Sequence, residues 1–100
     1  NGSHLLLQGC FKEGSKYIPL DISGHGRSVE QDVRACQSRC LNVLGCEYFS
    51  FWPHDGGCHL SSSSAKIVAD SSAVAGPKRC TKGKLDSKGD YLIMSTLYAK

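Results

Sequence analysis

Six cysteines, Cys10, Cys36, Cys40, Cys46, Cys58 and Cys80, are spread along a 100-residue chain. A thiol can act as a nucleophile, ligate a metal or pair into a disulfide. An even, spaced set in so short a chain points to the third, and so to an oxidising, extracellular setting. A zinc site built from Cys36, Cys40, Cys46 and His54 or His59 is the metal alternative. The spacing Cys36-x3-Cys40-x5-Cys46 departs from the paired knuckles joined by a longer gap that zinc sites favour. No metal or other cofactor is therefore expected, and with every cysteine oxidised no thiolate remains for catalysis.

Other catalytic signatures are missing from the sequence. It has no Gly-x-Ser-x-Gly, no His-Glu-x-x-His and no phosphate-cradling glycine loop. His25, between Gly24 and Gly26, reads as a solvated loop histidine. The expectation is that the chain is not an enzyme. Twelve Lys and Arg against nine Asp and Glu give a net charge of +3, with no basic run, which argues against nucleic acid. No apolar run approaches the roughly 20 residues of a membrane span. No charged region, apolar region and cleavage site follow one another, so a signal peptide is not expected within these residues.

The chemistry left is that of surfaces. Glu47 to Trp52 reads as an aromatic-rich strand, Pro53-His54-Asp55-Gly56-Gly57 as a turn and Cys58-His59-Leu60 as the returning strand. Side chains alternate faces along a strand. With Phe49, Phe51, Cys58 and Leu60 on one face, Tyr48, Ser50, Trp52 and His59 share the other. An aromatic patch with polar handles suits a sugar ring or a partner's side chain. Tyr48, Trp52, His54, Asp55 and His59 are the candidate ligand-binding residues. The alternative is that this face is covered by the apolar tail Tyr91–Ala99.

The elements that must hold this hairpin follow from patterning. One helix is expected from about Val29 to Val43, capped by Ser28 with Gln31 completing a capping box and stopping near Gly45. Val29, Val33, Cys36 and Cys40 fall at helical spacing and share a face. Glu30 and Asp32 suit the start of that helix and Arg39 its end. Leu5 to Lys12 and Tyr17 to Ile22 read as extended, with Glu13-Gly14-Ser15 as a turn. Ser61–Ser64 reads as an exposed loop, with short strands at 66–69 and 74–80. Thr81–Gly89 is polar and Lys-rich, like a linker, and Asn1–His4 reads as an expression scar.

The ordered set of features resembles a PAN/apple domain. It comprises Cys10 with Gly14 and Tyr17, Ser28 opening a helix with Cys36-x3-Cys40, then Cys46-x2-Phe49-x-Phe51, Cys58-x-Leu60 and Gly76-Pro77-Lys78-Arg79-Cys80. The resemblance covers about residues 8 to 81. The Gly-Pro-Lys-x-Cys ending and the Cys-x-x-Phe-x-Phe strand are most similar to apple domains of apicomplexan microneme adhesins. Cysteine number alone leaves many connectivities open. The resemblance implies Cys10–Cys80, Cys36–Cys58 and Cys40–Cys46. It also implies an α+β fold with one helix packed on a small antiparallel sheet, stapled by disulfides.

The expected organisation is a domain at 5–81 and a C-terminal extension or linker at 82–100, one module of a larger multidomain protein. By resemblance it is secreted, through an organelle such as the microneme. It would serve as an interaction module for protein–protein binding within or between adhesive proteins in host-cell attachment. The alternative is a lectin-like module for galactose-type host glycans. Sugar-contacting residues do not carry over, because the Ser61–Ala69 segment stands where those lectins have a charged and aromatic loop.

Overall fold

The structure, a computed structural model, describes residues 10–80. The expectations for the extended piece before Cys10, the Lys-rich segment and the apolar tail lie outside the described residues. The chain divides into two compact units, Lys12–Arg79 and a second made of Asn1–Phe11 with Cys80–Lys100. Within the second unit Cys10 and Cys80 form a disulfide with a Cα separation of 5.4 Å. All the helix and strand described below belongs to the first.

Its elements run β1 (Lys12–Ile18), β2 (Ser28–Val29), α1 (Val33–Asn42), β3 (Tyr48–Trp52), β4 (Gly57–Ser61) and β5 (Lys66–Pro77). The five strands form one antiparallel sheet in the order β1-β5-β3-β4-β2. In the central hairpin Phe49 pairs with Leu60 and Phe51 with Cys58. Paired residues share a face, so these four lie together under α1. Phe49, Leu60 and Cys58 are fully buried, as are Cys36 and Cys40 on the helix. The Cys36–Cys58 disulfide joins α1 to β4, and Cys40–Cys46 joins its last turn to the approach to β3. This is the α+β, disulfide-stapled architecture expected.

The helix starts later than its sequence pattern suggested. Ser28 is not its cap. Ser28 and Val29 are extended and pair with Cys58 and Gly57, while the Glu30 N–H donates to the Gly56 carbonyl. The cap is Asp32, whose carboxylate accepts the Ala35 N–H at 2.8 Å. Carboxylates and hydroxyls cap about equally well, and the β4 edge takes the residues that local pattern gave to the helix. Arg39 locks this arrangement, donating to the Ser28 hydroxyl at 3.0 Å and to the carbonyls of Cys58 and Gly26. At the other end α1 stops at Asn42, before Gly45. There the Val43 N–H donates to the Cys40 carbonyl and the Cys46 N–H to the Val43 carbonyl, turning the chain back towards the bridge.

Nor is Glu13-Gly14-Ser15 a turn between strands. It lies inside the single strand β1 and faces a bulge in β5: the register jumps from Glu13↔Val74 to Ser15↔Ala69, so Gly14 alone stands opposite residues 70–73. The segments 66–69 and 74–77 are accordingly parts of one long strand, β5, which bulges away from β1 at residues 70–73. The jump lets β1 reach the sheet face away from the helix. There the Tyr17 N–H donates to the Ser50 hydroxyl at 2.8 Å, and Ser50 is fully buried. Ser50→Ala leaves that N–H without its acceptor. We expect a loss of about 1–3 kcal/mol, with faster amide exchange at Tyr17. Unchanged exchange there would show that another acceptor replaces the hydroxyl.

Candidate functional site

The hairpin turn is built by its own backbone. The Trp52 carbonyl accepts from the N–H groups of Asp55 and Gly56, and the Asp55 carboxylate accepts the Gly57 N–H at 2.9 Å. Gly56 has φ +80, and a Cβ there would lie 2.8 Å from the Glu30 carbonyl oxygen. Only glycine lets β2 approach the turn this closely. Asp55 also pairs with Arg27 at 3.4 Å and with His54 at 3.5 Å.

The Gly57 N–H, above all, holds the Asp55 carboxyl below its usual range; His54 and Arg27 act in the same direction against some desolvation. Asp70 is lowered likewise, first by the Ser72 N–H and then by Lys16. For a carboxylate whose folded pKa is depressed, the stabilisation is present above its unfolded pKa, about 3.9, and is lost as pH falls through the folded value. The Asp55→Asn, Asp70→Asn double variant should therefore melt with a flatter pH dependence than the parent between about pH 5 and pH 2. Parallel melting curves across that window would contradict the assignment.

On the face away from the helix, Trp52 and His59 meet edge to face, with ring centroids 5.2 Å apart at 83°. His59 Nδ1 lies 2.8 Å from Asp21 Oδ1. An ionised carboxylate only accepts, so Nδ1 carries the hydrogen and Nε2 is left for another partner. Asp21 sits at φ +66, a left-handed conformation that aspartate tolerates better than most residues. Two further bonds tie its loop to the β4 edge, from the Ile22 N–H to the Leu60 carbonyl and from the Ser61 hydroxyl to the Pro19 carbonyl.

The five candidate residues fall into three groups. Trp52 and His59 form one pair, both partly exposed. Tyr48 stacks on Tyr17 with centroids 4.1 Å apart and planes at 12°. His54 and Asp55 sit at the turn with Arg27. The middle of the face is covered by β1 at Ser50 and Tyr48, while its Trp52–His59 end keeps solvent contact. Sequence reasoning missed Tyr17, Asp21 and Arg27, none of which carries a local signal for its role. Among the described residues, no group of three or more His, Cys, Asp or Glu could hold a metal ion. No described helix is long and apolar enough to cross a membrane.

No curated protein matches the chain. In fold it is similar to a solution structure of the two N-terminal apple domains of Toxoplasma gondii microneme protein 4. The TM-score is 0.58 at 20% identity, over 70% of this chain and 45% of that one. The chain thus spans less than half of that two-domain structure. The family profile described as PAN domain matches residues 14–85, a stretch that contains the helix, the hairpin and two of the three disulfides. On that match, the chain belongs to the PAN domain family.

Proposed function

We propose that this chain is a secreted interaction module that binds a protein partner, within or between adhesive proteins of the microneme type, in attachment to host cells. Residues 5–81 form the module and 82–100 an extension or linker to the rest of a larger protein. The observation that carries this reading is the Trp52–His59–Asp21 group. It is an aromatic edge contact held in one orientation by a carboxylate, partly exposed, on a sheet stapled to its helix. A rigid, half-exposed tryptophan with polar neighbours is the residue type that most often anchors a protein interface.

Binding of the folded domain to host cells tests this, with Trp52→Ala and periodate-treated cells as the two arms. We expect Trp52→Ala to weaken binding by about 2 kcal/mol, roughly thirtyfold, and periodate to leave it intact. Loss of binding on periodate treatment, or competition by free galactose, would transfer the site to the alternative, a lectin-like module for galactose-type glycans. Wild-type binding by Trp52→Ala would place the interface elsewhere on the domain.

A further inference from the structure

Where Gly14 of β1 faces the bulge in β5, a cleft of about 490 Å³ opens at the edge of the sheet. Its volume lies in the range of small-ligand sites, and bulges commonly serve to re-aim side chains next to such sites. Gly14 adopts φ +75 opposite the bulge, and a Cβ built there meets nothing within 4 Å. The opposite wall, Ser71 and Ser72, is held by a local turn in which the Ser72 N–H donates to Asp70 at 2.9 Å. Asp70 in turn is paired with Lys16 at 3.2 Å. Pro53, Ala73 and Val74 supply the apolar lining.

The charge of this cleft runs against that of the chain. The net charge is +3, yet among the described residues the one charged residue lining the cleft is the acidic Glu13. Glu13 enters no ion pair among the described residues. Lys16, on the same strand, is already taken by Asp70. The cleft therefore combines an unneutralised carboxylate, two serine hydroxyls that can accept, and an apolar wall.

We propose that this cleft receives a basic side chain, lysine or arginine, from the module's protein partner. The aliphatic stem of such a residue lies along Pro53 and Val74 while its charged head meets Glu13 and the serine hydroxyls. Long cationic side chains divide their contacts between apolar and charged groups in this way. An anionic ligand is disfavoured by Glu13. A sugar would lack an aromatic wall here, since the cleft lining contains no aromatic residue among the described residues. The inference rests on the protein-binding reading but uses a place separate from Trp52 and His59.

Titration of the folded, isotopically labelled domain with Nα-acetyl-lysine amide, followed by amide shifts, tests the cleft alone. Nα-acetyl-norleucine amide serves as the uncharged counterpart. We expect saturable shifts at Gly14, Ser71, Ser72 and Val74 in the millimolar range, as befits a single side chain. Glu13→Gln should weaken the lysine probe by about two- to fivefold, the scale of an ion pair at a solvent-exposed carboxylate. Ser72→Ala should weaken it less, while the N–H that donates to Asp70 remains. Equal shifts with the norleucine probe, shifts confined to other residues, or an unchanged response in Glu13→Gln would each overturn the proposal. Trp52→Ala should leave this titration unaltered. Failure of the cleft and failure of the Trp52 interface are thus read separately.

Discussion

Replacing Cys36 and Cys58 together by alanine is expected to destabilise the domain by about 3–5 kcal/mol. The bridge closes a sequence separation of 22 residues, for which the chain-entropy relation gives about 3 kcal/mol. Both cysteines are fully buried between α1 and the hairpin, so losing the sulfurs also loosens core packing. Against a typical total of about 5–15 kcal/mol, this is a large share. At about 4–8 °C per kcal/mol for a domain of this size, the melting midpoint should fall by roughly 15 °C or more. The Cys40, Cys46 double variant opens a loop with a separation of only 6 residues, for which the same relation gives about 2 kcal/mol. Thermal melts of the two double variants under non-reducing conditions measure both. Cys40 and Cys46 are buried as well, so if removing the shorter bridge costs as much as removing Cys36–Cys58, loop length is not what sets the values.

A comparably large effect is expected for Phe49→Ala. Phe49 is fully buried, pairs across the hairpin with Leu60, and lies on the face that α1 covers. Removing a buried phenylalanine ring costs about 3–5 kcal/mol, through lost transfer energy and the cavity left behind. Trp52, at the end of the same strand, should behave differently. It is partly exposed and touches His59 edge-on, so truncation should cost only about 1–2 kcal/mol of stability. Urea unfolding of the two variants decides the matter. Equal losses would mean that Trp52 is as deeply packed as Phe49 and leaves little surface for a partner.

These two residues also show how far the hairpin can be read from its sequence. Strand alternation has a period of two and is a property of neighbouring residues. It therefore places Phe49 and Phe51 on one face and Tyr48, Ser50 and Trp52 on the other without knowledge of the fold. The cysteine pattern is similarly local in its message, because number and spacing already indicate a disulfide-stapled domain. The helix was legible in its middle, where Cys36 and Cys40 share a face, and misread at its start. Ser28 and Asp32 are both good caps, and nothing nearby reveals that β4 claims Ser28 and Val29 as a strand.

What the sequence by itself determined, then, is the disulfide class of the domain, the hairpin and the side of the sheet on which each hairpin residue stands. Tertiary structure alone decided which of those residues keep solvent contact. Ser50 lies in the middle of the supposed open face, yet it is buried by the Tyr17 backbone, 33 positions away. His59 is oriented by Asp21, 38 positions away, and the Glu13 cleft exists because β5 bulges opposite Gly14 of β1. Each of these pairings joins residues with no periodic or spacing relation along the chain. A local pattern reports on neighbours within a turn or two, whereas which surfaces are covered is set by where distant strands cross.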